Sequence, residues 1–154
     1  MNAGKDSPLG EASLACFQCG ECSGSCPLFI TAPQKYNPRR LVARLLQNGA
    51  PPYEEAWLCL TCHECTERCP AGVSVAEIAE ALRRTAFRGG RTNPTARALA
   101  EALPRYGYVS EIGEFQNEMR ADDGLPPAPE PATGEVAAIM RKTGILAKLG
   151  GNEK

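Results

Sequence analysis

Cys16, Cys19, Cys22 and Cys26 stand in the run CFQCGECSGSCP, at the spacing C-x2-C-x2-C-x3-C followed by proline. The same spacing returns 43 positions later in CLTCHECTERCP, from Cys59 to Pro70. The two runs hold all eight cysteines of the 154-residue chain. Whatever the chain folds into must give two short segments the same chemical task, so the repeat bounds the fold more tightly than composition does.

Four chemistries use thiols at short spacing. Disulfides need an oxidising compartment. The opening residues MNAGKDSPLGEASLA lack a charged-then-apolar signal pattern, and no apolar run is long enough to span a bilayer. The expectation is therefore a cytoplasmic chain with reduced thiols. Thiol redox catalysis uses a single C-x-x-C beside a βαβ unit, whereas here the steps overlap and no strand pattern surrounds them. A structural zinc site takes two C-x2-4-C pairs separated by a loop, which three cysteines at strict two-residue spacing fit poorly. The remaining chemistry is the [4Fe–4S] cluster, for which C-x2-C-x2-C-x3-C-P is a bacterial binding run whose fourth cysteine ligates the other cluster. Three close cysteines wrap three corners of one cubane, and the fourth reaches over to the neighbour. The expected ligand sets are Cys16, Cys19, Cys22 and Cys69 for one cluster, and Cys59, Cys62, Cys65 and Cys26 for the other. Cluster insertion would then be coupled to folding.

The rest of the chain reads as helix and loop, with no period-2 strand. Residues 1–14 read as a flexible tail. Asn37 as N-cap, Pro38 at N1 and Gly49 as stop frame a helix whose apolar face is Leu41, Val42, Leu45 and Leu46. YEEAWL leads as a short helix into the second run. Ser74 and Glu77 form a capping box before a stripe of Val75, Ile78, Ala79, Leu82 and Ala86. Asn93-Pro94 opens a further helix up to Pro104, and Ser110 is a candidate cap for another carrying Ile112, Phe115 and Met119. Residues 121–134 are a Pro-rich linker, expected extended or mobile. A short apolar segment comes next, suited either to docking on a partner or to covering this chain's own thin core. The domain expectation is thus a dicluster domain over 15–92, a helical extension over 93–120, and a linker with a partner-docking arm over 121–154. A net charge of −1 does not resemble the basic footprint of a nucleic-acid binder, and no G-x-G supports a dinucleotide site.

Single residues near the runs carry alternatives. His63, the only histidine, either tunes a cluster or is a surface neighbour. Trp57 either shields a cluster or packs in the core. Gly20, Ser23, Gly24 and Ser25 let amides approach sulfur, or simply make tight turns. Glu64, Glu67 and Arg68 read as a solvated face, and Arg39-Arg40 as either a solvated face or a specific feature.

A capped helix between the two runs resembles the layout of the α-helical ferredoxin domain rather than the small α/β ferredoxins. QCGECSGSCP (18–27), YNPRRLV (36–42) and WLCLTCHECTERCPAGVSV (57–75) together resemble the C subunit of heterodisulfide reductase and its bacterial relatives, over roughly residues 14 to 90. The resemblance implies an all-α fold with two [4Fe–4S] clusters and a C-terminal helical extension. It also implies a non-catalytic electron-transfer subunit. Its partners would be a flavin/iron–sulfur subunit on one side, with a catalytic, disulfide- or thiol-active subunit on the other. Alternatives are a free-standing dicluster ferredoxin, the iron–sulfur subunit of a quinone- or fumarate-linked oxidoreductase, and a zinc-stabilised interaction module.

Overall fold

The computed structural model describes residues 8–47 and 50–149, which form helices joined by loops with no strand among them. The chain divides into two compact units, Met1–Arg91 and Thr92–Lys154.

The first unit contains α1 (Pro8–Ser13), α2 (Glu21–Gly24), α3 (Pro27–Thr31), α4 (Pro38–Leu46), α5 (Tyr53–Leu58), α6 (Glu64–Glu67) and α7 (Val75–Arg88). Helix α4 starts where the sequence puts it. Asn37 accepts from the Arg40 amide at 3.1 Å and Pro38 occupies the first turn, so donors left free at a helix start are satisfied. Gly49, the expected stop, lies outside the described residues; Gln47 caps the helix. Helix α7 begins at Ser74, whose hydroxyl accepts from the Glu77 amide. Its buried stripe is Val75, Ala76, Ile78, Ala79, Leu82 and Ala86. The stripe meets Tyr36, Leu41, Val42, Leu45 and Ala56 in one core that also includes Cys26 and Cys65.

The repeat extends beyond the cysteines. Each half is a short helix, a cysteine run with one helical turn, and a longer capped helix. Helix α1 packs on α4 as α5 packs on α7, and α2 meets α6 where the two runs adjoin. Composition places residues 8–13 in a flexible tail, but they form α1. Leu9 packs against the core, Ser13 is fully buried, and its hydroxyl donates to the Leu9 carbonyl at 2.8 Å. Residues 1–7 lie outside the described residues.

The second unit contains α8 (Pro94–Tyr106), α9 (Glu114–Asp122), α10 (Thr133–Lys142) and α11 (Ile145–Lys148). Asn93 caps α8 by accepting from the Thr95 and Ala96 amides. The helix continues past Pro104 to Tyr106, and the Gly107 amide closes it on the Leu103 carbonyl. The next helix starts after Gly113, not Ser110: the Gln116 side chain reaches back to accept from the Gly113 amide at 2.9 Å. The Pro-rich stretch is shorter than composition suggests, because α9 runs to Asp122. Residues 126–129 are fastened to their own unit, with Arg120 donating to Pro126 O, Asn117 accepting from the Ala128 amide, and Tyr108 donating to Pro129 O. Helix α10 packs on α8, burying Met140. Residues 150–154 of the terminal arm lie outside the described residues.

Candidate iron–sulfur centre

The cysteine runs take matching backbone paths. Gln18 and Thr61, 43 positions apart, have φ of 57° and 56°; Gly20 and His63, also 43 apart, have φ of 93° and 62°. Left-handed backbone is uncommon outside glycine and costs energy. It recurs here because each loop must turn sharply between one cysteine and the next. A single helical turn, α2 or α6, then carries the third cysteine of each run. The residue after that cysteine ties the run to the next long helix: Ser23 donates to Asn37 Oδ1 at 2.7 Å, and Thr66 and Ser74 share a hydrogen bond of 3.1 Å between their hydroxyls. The N-cap residues of α4 and α7 thus hold the runs as well as their helices.

These paths distribute the thiols over two small cavities. The first is lined by Cys16, Cys19, Cys22 and Cys69, the second by Cys59, Cys62, Cys65 and Cys26. Each cavity therefore takes three thiols from one run and the last from the other. All eight cysteines are free thiols. Among the described residues, no three His, Cys, Asp or Glu side chains converge on a point that could hold one metal ion. The thiols are distributed over the cavity walls, four to each.

Burial pushes the Cys22 thiol up to about 11 and raises the Cys65 thiol as well, with neighbouring cysteine thiolates adding to both effects. Thiolates packed this closely in an apolar wall need a cation to offset them, and ligation supplies one while releasing the protons. Donors already face sulfur: the Gln18 side-chain amide reaches Cys16 Sγ at 3.3 Å, the Thr61 amide Cys59 Sγ at 3.4 Å, and the Val73 amide Cys69 Sγ at 3.2 Å. Such bonds favour the charged sulfur. In the first run the Ser23 side chain adds such a bond to Cys22. Gly20 supplies a left-handed turn there, Ser23 ties the run to Asn37, and Ser25 donates to the Glu21 carbonyl.

His63 is exposed at the second cavity, where its left-handed backbone opens α6. Trp57 is half-buried, with the Arg83 guanidinium 6.0 Å from its ring centroid. Arg39 lies at the first cavity, whereas Arg40 and Arg44 both pair with Glu55 and tie α4 to α5. Glu64, Glu67 and Arg68 are exposed.

Two residues around the second run escape sequence reasoning, one lining its cavity and one holding its loop. Tyr36 is 2% exposed and lines that cavity. Burial, then the Cys59 thiolate, hold its phenol protonated, and it hydrogen-bonds Cys59. Its only signal along the chain is its place in YNPR. Arg83 holds the loop at Cys59 from α7, and nothing in a helical arginine marks that.

Paired four-thiol cavities in a helical scaffold define an iron–sulfur protein of the [4Fe–4S] type. Residues 12–73, which include every cysteine, match the 4Fe-4S dicluster domain. The chain is 35% identical over 119 residues to the C subunit of ferredoxin:CoB-CoM heterodisulfide reductase from Methanosarcina mazei, covering 76% of this chain and 73% of that one. It is 34% identical to the C subunit of ferredoxin/F(420)H(2)-dependent CoB-CoM heterodisulfide reductase from Methanosarcina acetivorans, over 82% of this chain and 78% of that one. It is 31% identical to the C subunit of H(2):CoB-CoM heterodisulfide,ferredoxin reductase from Methanothermobacter thermautotrophicus, over 93% and 81%. The chain belongs to the family of heterodisulfide reductase C subunits, as an iron–sulfur electron-transfer subunit. Among the described residues, no helix is long and apolar enough to cross a membrane.

Proposed function

We propose that this chain carries two [4Fe–4S] clusters, one on Cys16, Cys19, Cys22 and Cys69 and the other on Cys59, Cys62, Cys65 and Cys26. It works in a cytoplasmic heterodisulfide-reductase-like complex. There it relays electrons between two other subunits, one holding flavin and iron–sulfur centres, the other catalytic and active on a disulfide or thiol. The observation that carries this reading is the exchange of the fourth thiol between the two cavities. When bound, each cluster supplies reversible one-electron transfer.

The chain's own contribution is to hold, shield and bias those centres. Cys26 and Cys65 are buried with the core, while Cys19 and Cys62, at matching positions in the two runs, are exposed. Each centre would therefore have one ligand turned outward, toward a partner. Phe17 and Leu60, again at matching positions, line the two cavities and are 74% and 61% exposed. Large apolar side chains left in water at both sites suit coverage by neighbouring subunits. Docking by residues 121–154 belongs to the same proposal, through side chains that α10 leaves exposed, such as Ile139.

Anaerobic capture of the tagged native protein, with iron and acid-labile sulfide assayed on the eluate, tests this reading. About eight iron and eight sulfide per chain, with co-eluting flavin and catalytic subunits, is the expected result. About two zinc without sulfide would remove the clusters. Full clusters on a lone chain would leave a diffusible ferredoxin.

A further inference from the structure

The two halves of the first unit share their cysteine spacing and the order short helix, run, long helix, but a side-chain clamp at the second run has no counterpart at the first. Helix α5 ends at Leu58, one residue before Cys59. The last carbonyls of a helix lack partners within it, and here a side chain from α7 takes them. Arg83 Nε donates to Ala56 O at 2.8 Å and Nη2 donates to Cys59 O. Its Nη1 reaches Thr61 Oγ1 at 3.4 Å, and the guanidinium lies over Trp57. Thr61 is the left-handed residue whose own amide points at Cys59 Sγ. One planar fork thus fixes the end of α5, the first ligand of the second run and the turn just beyond it. Lysine, with a single ammonium, cannot span these acceptors.

The first half has no such clamp. At the end of α1, the Cys16 amide turns back to Ser13 O, and Gln18 approaches Cys16 Sγ through its side chain. The arginines of α4 are used elsewhere: Arg40 and Arg44 pair with Glu55, and Arg39 is exposed beside Gly20. Among the described residues, Arg83 pairs with no carboxylate, so its charge is not neutralised locally.

We propose that Arg83 is a positioning residue for the second cavity alone, holding the loop from Cys59 to Thr61 and placing an uncompensated positive charge beside the centre bound there. The two centres are thereby inequivalent although their ligands are identical. A nearby cation favours the more negative, reduced state of a cluster, so Arg83 raises the potential of the second centre above what its thiolates alone would set.

This inference rests on the ligand sets proposed above. Its test is a redox titration followed by electron paramagnetic resonance, on the full chain purified anaerobically in its native assembly. Cys62→Ser marks which signal belongs to the second cavity. Arg83→Gln should move the midpoint of the marked centre to more negative potential and leave the other unmoved. Arg83→Lys should restore most of that midpoint, because the charge returns. Iron loss to a chelator should stay faster than in the wild type, because the fork does not return. A Gln variant that empties only the marked centre, with the Lys variant keeping it, also supports the inference. An unmoved marked centre, equal shifts in both, or loss of both centres in both variants would overturn it. If Cys62→Ser disturbs no separate centre, the ligand sets fail and the inference falls with them; if the marker behaves and only the Arg83 variants are silent, the inference falls alone.

Discussion

At the scale of single residues, the exchanged cysteine gives the sharpest test. Cys69 belongs to the second run by sequence but lines the cavity of Cys16, Cys19 and Cys22. Cys69→Ala should cost the first-cavity centre, with about half of the iron lost. Selective loss of the Cys59–Cys65 centre instead would refute the exchange. His63 makes a second prediction. It holds a φ of 62° where the other run has Gly20, and a side chain in that region costs about 1 kcal/mol. His63→Gly should leave iron content intact and raise the unfolding midpoint slightly; a clear drop would mean that the imidazole contributes something the backbone does not.

At the scale of elements, the long helices work as the walls on which the runs are mounted. Leu82, on the buried stripe of α7, is fully buried in the core of the first unit. Leu82→Ala should destabilise the first unit by about 2–5 kcal/mol, read as earlier thermal loss of cluster absorbance. A cost near zero would show that the clusters, not the apolar core, carry the unit. In the second unit, Gly107 has a φ of 72°, and a Cβ there would lie 2.5 Å from Pro131 Cβ. Gly107→Ala should therefore push the 125–132 segment off α8. Limited proteolysis should cut that segment faster while iron content stays unchanged.

For the whole molecule, the division at Arg91 makes a prediction of its own. Both cavities, all eight cysteines and the Arg83 contact lie within Met1–Arg91. A chain ending at Arg91 should therefore retain about eight iron, whereas co-purification with partner subunits should weaken. Loss of iron from the shortened chain would mean that residues 92–154 support the centres directly. The two units differ in how they are held. The first has an apolar core to which α4 and α7 both contribute, and among its described residues the second buries few large side chains, chiefly Met140 and Leu149. In the second, hydrogen bonds along the Pro-rich stretch do part of the holding.

The cysteine spacing, the N-caps at Asn37, Ser74 and Asn93 and the α7 stripe are legible in the sequence because each depends on neighbours within a few positions. Chain-local rules of ligand spacing, capping and helical period suffice for such features. The same rules misplace residues 8–13, since six residues with glycine and proline form a helix only when a surface such as α4 is there to receive Leu9 and Ser13. They miss the start of α9 as well, where Gln116 folding back on Gly113 outweighs a serine cap. Tyr36 and Arg83 answer to no local rule, because their partners at the second run lie more than twenty positions away and are met only once the helices pack. Which atoms can bind a cluster was therefore settled along the chain, by residue type and spacing. Which phenol lines the second cavity and which guanidinium clamps the loop at Cys59 was settled only by packing, because hydrogen bonds and charge act across space, while sequence patterns record only neighbours along the chain.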